Sequence, residues 1–391
     1  MSMASVERQA KIALAGAGGL TAAVAWAIER RRQLQVPIER PRYLPVTIER
    51  PRYLPMAIER RRQLHRIAAD SEQAILSAPP AGRPIRVPSL DGTVLHAEVF
   101  GPEDAPTIVL AHGWTEALRY WVHQIADLSQ RDFRVVAYDL RGHGRSSKAL
   151  TGDYSLSAFG DDVEAVLRQC MPSGERAVLV GHSLGAMSIA AWAERHPVRE
   201  RASAAGLLCT GLVDLMTEHL VLGFPGIPAP LLRPVSEFVL GAPGPIPGFS
   251  KQWAHYAIRY VAFGPTAGPA QVAFYEQMLR ECPPDVRAKT AAAMSRMDLL
   301  HALRQLTIPA LVLAGSVDRL TPPSHAFRIA SAMPEPVEVV ELPLTGHMAP
   351  LERPAEVNYW LRDLAARANR AEAGPRRAFR AALLPRAFRA A

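Results

Sequence analysis

The strongest constraint on how this chain can fold is a strand pattern that runs directly into a tight turn and a helix pattern. Residues 178–180 are apolar, residues 181–185 read Gly-His-Ser-Leu-Gly, and an alanine-rich segment follows. Gly181 and Gly185 lack a Cβ atom, so the backbone can turn sharply there without a collision. Ser183 is then held, strained, at the amino end of a helix, where backbone amides favour a developing negative charge. The pattern predicts a nucleophilic serine above a helix-covered sheet.

Further apolar runs indicate which strands accompany this turn. Residues 86–100, interrupted at Asp91 and Gly92, predict a β-hairpin. Unbroken apolar runs are typical of parallel strands that helices cover on both faces, and helical patterns at Leu156–Cys170 and Ala186–Arg195 lie between them. A hairpin followed by alternating strands and helices predicts an α/β fold with a mostly parallel sheet. The runs are Thr107–Ala111, Val135–Tyr138, Ala177–Val180, Ala204–Cys209, Ala310–Ala314 and Val337–Glu341.

The interval between the runs that end at Cys209 and begin at Ile308 is about 100 residues long. It contains a proline-rich segment and then helical patterns around Trp253–Phe263 and Val272–Leu279. A structureless loop of this length is implausible in a compact domain, so the interval predicts a helical cap over the carboxyl edge of the sheet. The expected organisation is an extension at 1–84, a core at 85–210 and 301–366, a cap at 211–300 and a basic tail at 367–391.

The positive charge of the chain lies at its two ends. The formal net charge is +8, but residues 29–66 carry +7 and residues 370–391 carry +5. With a further +1 on residues 1–28, the central part at 67–369 has a net charge of −5. A mildly acidic catalytic region argues against nucleic acid as a substrate or partner.

Residues 12–28 form a stretch of 17 residues without a charge, rich in alanine and glycine. This length is the lower limit for a membrane span, and alanine and glycine insert less readily than leucine. Three interpretations stay open: a weak membrane anchor, a hairpin-like association with the membrane, and a helix packed on the protein. If the stretch spans a bilayer, the arginines that follow it are expected to keep the catalytic region in the cytoplasm.

An arginine-rich repeat of period ten covers residues 28–60, and each of its four units begins Ile-Glu-Arg. Prolines in the middle units exclude a continuous helix. The repeat predicts an extended linker that either contacts anionic lipid or is simply solvated. The hexapeptide Arg-Ala-Phe-Arg-Ala-Ala, present at 377–382 and 386–391, indicates a basic tail without chemistry of its own.

The three cysteines indicate the redox compartment. Cys170, Cys209 and Cys282 are too few and too scattered for a disulfide framework or a cysteine-based metal site. They are expected to be buried thiols. A reducing compartment and therefore a cytoplasmic location, with or without membrane association, fits this pattern best.

A serine hydroxyl becomes a good nucleophile only when a base removes its proton, so the serine turn requires a histidine. His347 lies in a loop after the last predicted strand, and an acid must fix the tautomer of such a base. Asp318 follows the apolar run at 311–314 and is placed at the sheet edge where an open α/β sheet gathers its ligands. Asp214, soon after the preceding strand, is the competing acid. The chain order serine, aspartate, histidine favours Asp318 and His347.

The tetrahedral intermediate of acyl transfer needs hydrogen-bond donors for its oxyanion. His112-Gly113-Trp114 follows the first predicted parallel strand. The backbone N–H groups of Trp114 and Leu184 are the predicted donors, and their side chains take no part in that role.

Taken together, these segments resemble the α/β-hydrolase superfamily in its cap-bearing, single-domain branch, and most of all uncharacterised actinobacterial members. The resemblance covers residues from about 85 to 365. It implies an eight-stranded, mostly parallel sheet with helices on both faces, and a triad of Ser183, Asp318 and His347. The matching segments are His112-Gly113-Trp114, residues 138–146, the serine turn at 181–185, residues 315–318 and Gly346-His347.

The stretch Tyr-Asp-Leu-Arg-Gly-His-Gly-Arg-Ser at 138–146 is expected to be structural. Asp139 and His143 within it have no ligand spacing that would suit a metal, and we expect neither a metal nor a cofactor. Epoxide hydrolases and haloalkane dehalogenases, two relatives within the superfamily, carry an aspartate at the turn. Ser183 argues against both activities.

The expected reaction is hydrolysis of a small-molecule carboxylic ester. A lipophilic substrate is favoured because leucine, phenylalanine, tryptophan and proline are frequent in the predicted cap, where they would line an apolar acyl pocket. The same residues would serve a cofactor-free, haloperoxidase-like perhydrolase or an acyltransferase, since the pocket selects the acyl acceptor. A non-catalytic ligand-binding protein is the third hypothesis, because fold does not determine function. No oligomeric state is predicted.

Overall fold

The computed structural model describes residues 72–130, 132–172, 174–215, 251–334 and 337–373. The strands are β1 Arg83–Pro88, β2 Val94–Phe100, β3 Thr107–Ala111, β4 Arg134–Tyr138, β5 Ala177–His182, β6 Ala202–Leu208, β7 Ala310–Gly315 and β8 Val337–Leu342. The helices are α1 Val122–Leu128, α2 Leu156–Cys170, α3 Leu184–Arg195, α4 Val198–Arg201, α5 Lys251–Ala262, α6 Pro269–Glu281, α7 Pro284–Met294, α8 Pro323–Ala332, α9 Ala349–Glu352 and α10 Pro354–Ala373. Short 3₁₀ segments lie at Leu118–Trp121 and Leu300–Gln305.

The eight strands form one sheet in the order β1-β2-β4-β3-β5-β6-β7-β8. β1 and β2 form an antiparallel hairpin, and β2 pairs antiparallel with β4. The remaining neighbours are parallel. The predicted α/β fold with a mostly parallel eight-stranded sheet is therefore confirmed. Because parallel strands end at the same edge, the loops after β3, β5, β7 and β8 are brought together there.

Side chains of each central strand enter two apolar layers, one on either face of the sheet. On β3, Val109 packs in the layer that contains Trp192 of α3, whereas Ile108 and Leu110 pack in the layer that contains Trp121. Successive side chains of a strand point to opposite faces, so both kinds of position must be apolar when helices cover both faces. This is the physical reason for the unbroken apolar runs in the sequence.

In the described part of the insertion between β6 and β7, residues 251–300, the structure has three α-helices. α5 and α6 coincide with the two helical patterns predicted for the cap, and α7 follows them. Pro269 and Pro284 stand at the first positions of α6 and α7, where the missing N–H costs no intrahelical hydrogen bond. Residues 216–250, which include the proline-rich segment, lie outside the described residues. The predicted domain boundaries stay predictions.

Several other predicted segments lie outside the described residues. They are the uncharged stretch at 12–28, the ten-residue repeat at 28–60 and the repeated hexapeptides of the tail. Membrane association through the amino-terminal segment therefore stays a prediction. Among the residues that the structure describes, no helix combines the length and the apolar character needed to cross a bilayer. All three cysteines are buried and free.

The loop after β4 is locked to the β1–β2 hairpin and to α2 by a buried arginine. The Nε and Nη2 groups of Arg141 each donate a hydrogen bond of 2.7 Å to the Asp162 carboxylate, and its Nη1 group donates one of 3.0 Å to Asp91. The side chains of Arg141 and Asp162 are 1% and 0% exposed. Ser89 donates a further hydrogen bond to Asp162. These contacts are consistent with the structural role predicted for the stretch at 138–146.

The Arg141→Ala variant is expected to lose about 3–5 kcal/mol of unfolding free energy, because it leaves the Asp162 charge buried without its partner. Urea denaturation of the variant and the wild type measures the difference. Arg145→Ala is the matched control from the same loop. The Arg145 side chain is 71% exposed and pairs with Glu98, so its loss is expected to cost less than about 1 kcal/mol. Equal losses in the two variants would contradict this account of the loop.

Candidate active site

Ser183 lies between β5 and α3 with a backbone φ of 49° and ψ of −114°. This left-handed conformation is costly for a residue with a Cβ atom and persists only where the surroundings enforce it. The Ser183 N–H donates to the Leu208 carbonyl at 2.9 Å, and the Thr210 hydroxyl donates to the Ser183 carbonyl at 3.0 Å. The last residue of β6 and a residue just after it therefore hold the N–H and the carbonyl of the serine.

The two glycines of the turn are required by close packing. A Cβ atom at Gly181 would overlap the Ala186 backbone, and one at Gly185 would overlap the Ala111 carbonyl. The first contact lets α3 fold back directly after β5. The second places the start of α3 against the end of β3, beside the loop of His112 and Gly113. The helix consequently begins at Leu184, two residues before the start predicted from sequence.

His347 and Asp318 lie in the loops after β8 and β7, and the structure brings them into direct contact. The distance from His347 Nδ1 to Asp318 Oδ2 is 2.8 Å. The Thr321 hydroxyl donates to the same carboxylate oxygen at 2.8 Å, and the amides of Leu320 and Thr321 donate to the other oxygen. Asp214, the competing acid, instead pairs with Arg328 at 3.3 Å.

These contacts favour an ionised Asp318 whose carboxylate accepts a hydrogen bond from the Nδ1–H group of His347. Burial opposes ionisation, but the charge and hydrogen bond of His347, together with the hydrogen bonds from Thr321, outweigh it and lower the pKa of Asp318. With its proton on Nδ1, the imidazole keeps the Nε2 lone pair free to accept a proton. The arrangement can therefore orient a general base.

The loop of His347 also packs against the serine turn. His182, which precedes Ser183, donates from Nε2 to the carbonyl oxygen of His347 at 2.9 Å. The two imidazole rings lie with their centroids 4.9 Å apart. Ser183 and His347 are 8% and 4% exposed. These contacts place the serine turn and the His347 loop side by side at one buried edge of the sheet, although the Ser183 hydroxyl and the His347 ring form no direct hydrogen bond.

The loop after β3 is oriented by the ring of His112. Its Nε2 accepts the Leu140 N–H at 3.0 Å, so Nδ1 carries the proton and donates to the Gly113 carbonyl at 2.8 Å. The peptide bond that follows is trans, and the N–H of Trp114 points away from the carbonyl that His112 holds. This leaves the Trp114 amide free to face a ligand.

Leu184 supplies the second predicted donor. It is the first residue of α3, and the first amides of a helix have no intrahelical partner. Within the described parts of the chain, neither the Leu184 amide nor the Trp114 amide donates a hydrogen bond to protein. The two groups can act as an oxyanion hole. The Trp114 indole has a separate role, since its Nε1 donates to the Arg287 carbonyl of α7 at 3.1 Å.

Glu352 links the end of α5 to the loop after β8 that contains His347. Its carboxylate accepts hydrogen bonds from the N–H of Gly264, just after α5, at 2.8 Å and from the N–H of Gly346 at 3.0 Å. The Ala262 carbonyl at the end of α5 accepts the His347 N–H at 2.8 Å. The end of α5 and the residues just after it therefore brace the loop that carries His347. No residue pattern in the sequence singles out Glu352 for this position.

The pH dependence of stability is expected to reveal Glu352. Burial, followed by the nearby charge of Asp318, raises the pKa of Glu352 to about 7. The folded protein then binds this proton more tightly than the unfolded chain does, so the resulting stabilisation is complete below about pH 4.5 and is lost as the pH rises through 7. Relative to Glu352→Gln, the wild-type unfolding free energy is expected to fall by about 2–3 kcal/mol between pH 5 and 8. Urea denaturation at both values tests this, and parallel pH curves would contradict it.

Comparison with known proteins places this geometry in a family. Residues 106–354 match the α/β hydrolase fold. A bifunctional esterase/perhydrolase of Acinetobacter calcoaceticus is 28% identical over 282 residues, which cover 70% of this chain and 96% of the relative. Epoxide hydrolase B of Mycobacterium tuberculosis is 36% identical over 166 residues, which cover 41% of this chain and 43% of the relative.

Solved structures agree with these matches. The esterase RhEst1 from a Rhodococcus species is 26% identical, with a TM-score of 0.60, and the match covers 73% of this chain and 98% of the esterase. Non-heme chloroperoxidase of Streptomyces lividans is a further relative, 26% identical over 246 residues, with 61% of this chain and 84% of the relative covered. These similarities support hydrolase activity in general. The match to the family spans more than half of the chain, and this chain therefore belongs to the α/β hydrolase fold family.

Proposed function

We propose that this protein hydrolyses carboxylic esters through an acyl-enzyme on Ser183. The observation that carries the proposal is the hydrogen bond of 2.8 Å between His347 Nδ1 and Asp318, at the sheet edge where Ser183 occupies a strained turn. A buried carboxylate paired with a histidine serves to fix the tautomer of a general base. The neighbouring serine is the nucleophile that such a base activates.

In the proposed reaction, Ser183 Oγ attacks the ester carbonyl carbon while His347 Nε2 takes the hydroxyl proton. The amides of Trp114 and Leu184 stabilise the oxyanion. Collapse of the intermediate breaks the bond to the alcohol, which leaves with the proton from His347. Water, deprotonated by His347, then attacks the acyl-enzyme, and the acid is released as Ser183 regains its proton. Asp318 stabilises the imidazolium at both stages.

The choice of ester over epoxide follows from the residue at the turn. Opening of an epoxide through a covalent ester intermediate needs a carboxylate nucleophile, whereas the turn of this chain carries a serine hydroxyl. Two of the similar proteins reported above are named as esterases. A lipophilic acyl group is favoured by the leucine, phenylalanine, tryptophan and proline residues of the cap.

A second candidate activity is perhydrolysis, in which hydrogen peroxide replaces water as the acyl acceptor. The relative from Acinetobacter calcoaceticus, named as both esterase and perhydrolase, favours this candidate specifically. The acyl-enzyme on Ser183 would be the same in the two reactions, and the product would be a peroxy acid. Product analysis with water, hydrogen peroxide and alcohols as acceptors separates hydrolysis from perhydrolysis and acyl transfer.

The proposal is tested with p-nitrophenyl esters from acetate to palmitate and with a fluorophosphonate probe. Turnover of at least one ester is expected, together with probe attachment to the peptide that contains Ser183, identified by mass spectrometry. The preferred chain length then measures the acyl pocket. Absence of both turnover and labelling in folded protein would overturn the proposal in favour of a non-catalytic ligand-binding protein. Labelling without ester turnover would favour another acyl donor or acceptor.

A further inference from the structure

A buried glutamate–histidine pair lies directly behind the serine turn. His182 Nδ1 is 3.0 Å from Glu116 Oε1 and 3.2 Å from Oε2. The side chains of His182 and Glu116 are 0% and 1% exposed. The catalytic steps proposed above use neither side chain. Burying two ionisable groups is costly unless each finds its partners, so their contacts indicate what the pair holds in place.

Glu116 links the pair to the loop after β3 at residues 112–114, which carries the proposed Trp114 oxyanion donor and is called the oxyanion loop below. Its Oε2 accepts the N–H of Gly113 at 2.5 Å, and its own N–H donates to the Gly113 carbonyl at 3.3 Å. Gly113 lies so close to His182 that a Cβ atom at this glycine would be 2.8 Å from Nδ1. The peptide that precedes the Trp114 amide is therefore fixed by the carboxylate of Glu116.

His182 ties the pair to the turn and to the base. Its Nε2 is 2.9 Å from the carbonyl oxygen of His347, and because a carbonyl can only accept, Nε2 must carry a proton. The contact between Nδ1 and Glu116 then requires a second proton, shared between nitrogen and carboxylate. Burial lowers the pKa of His182, but the charge of Glu116 outweighs it and raises the pKa overall.

We propose that Glu116 and His182 form a positioning pair that holds the oxyanion loop, the serine turn and the His347 loop in one fixed arrangement. The pair touches no reacting atom. It acts through the Gly113 amide on one side and the His347 carbonyl on the other, with His182 covalently adjacent to Ser183. The inference rests on the proposed function of this site. Within the pair, the reach of the Glu116 side chain, which is its length from Cα to the carboxylate, supports turnover more than its charge does.

Two substitutions separate reach from charge. Glu116→Gln keeps the length of the side chain: its carbonyl can accept the Gly113 N–H and its amide can donate to His182 Nδ1. Glu116→Asp keeps the charge but withdraws the carboxylate by one methylene, so it cannot hold both Gly113 and His182. For ester hydrolysis we expect Glu116→Gln to stay within about threefold of the wild-type kcat. We expect Glu116→Asp to lose about 10- to 100-fold in kcat with KM changed less than threefold.

Asp162→Asn is the control for loss of stability alone, because Asp162 is a buried carboxylate whose described partners, Arg141 and Ser89, lie outside the site. This variant is expected to melt at a lower temperature and to keep its kcat within about twofold. A Glu116→Asp variant with wild-type kcat would overturn the inference. So would a lower kcat in Glu116→Gln than in Glu116→Asp, since that order would make charge the dominant property.

Fluorophosphonate labelling of Ser183 distinguishes failure of this inference from failure of the proposed function. Labelling uses the same base and oxyanion donors but needs no ester turnover. Suppose that the wild type hydrolyses no ester but is labelled by the probe, and that the Glu116→Asp variant is labelled more slowly. This outcome would contradict the ester proposal and support the positioning pair. Equal labelling rates in wild type and Glu116→Asp would overturn the positioning pair whatever the substrate.

Discussion

The Ser183→Ala variant is expected to hydrolyse esters about 10⁶-fold more slowly than the wild type, judged by kcat. The substitution removes the attacking oxygen, so no acyl-enzyme can form, and His347 has no hydroxyl to activate. Any residual rate over water would come from the Trp114 and Leu184 amides and from substrate binding. The measurement is kcat with the best p-nitrophenyl ester, combined with the absence of fluorophosphonate labelling.

Folding of this variant is expected to be close to that of the wild type. The hydrogen bonds that hold residue 183 in its left-handed conformation involve its backbone N–H and carbonyl, which alanine retains. Ser188→Ala is the matched control, since Ser188 is a buried serine of α3 whose hydroxyl donates to the Leu184 carbonyl. Its kcat is expected to stay within about threefold. Retention of more than a tenth of the wild-type kcat after Ser183→Ala would exclude Ser183 as the nucleophile.

The fold could be predicted because its signals are local. The apolar runs and helical patterns that mark β3 to β8 each lie within a short window of sequence. Because both faces of every central strand are buried, each strand gives an unbroken apolar run that is easily recognised. The turn at Ser183 can be predicted for the same reason, because its signal is also local. Gly181 and Gly185 stand two residues on either side of the serine, and close packing against Ala186 and Ala111 explains why both are glycine.

The supporting residues of the site could not be predicted with the same ease, because their roles depend on contacts between distant segments. Glu116 meets His182 across 66 residues, and Glu352 meets Gly264 across 88 residues. Thr321, by contrast, is close in sequence: it lies three residues after Asp318, and its amide and hydroxyl both donate to the carboxylate. A threonine at this spacing after an aspartate is a local signal that sequence reasoning could have used.

The Asp318→Asn variant is expected to lose about 10⁴-fold in kcat while folding normally. An asparagine at this position would present its amide N–H₂ or carbonyl to His347 in place of a carboxylate, and it would no longer stabilise the imidazolium. With the N–H₂ group turned towards His347, Nδ1 must accept, and the ring proton moves to Nε2, where it blocks the approach of the Ser183 proton. The loss is expected in kcat more than in KM, because Asp318 acts on the base and contacts no substrate.

The Asp214→Asn variant tests whether Asp214 or Asp318 is the acid that orients His347. Both aspartates follow neighbouring strands, but Asp214 is 56% exposed and pairs with Arg328, whereas Asp318 is buried and hydrogen-bonded to His347. The exposed substitution is expected to leave kcat within about twofold. The reverse result, a large loss after Asp214→Asn and little change after Asp318→Asn, would exclude Asp318 as the acid of the site. The contrast between the two variants is therefore a direct test of the geometry at the edge of the sheet.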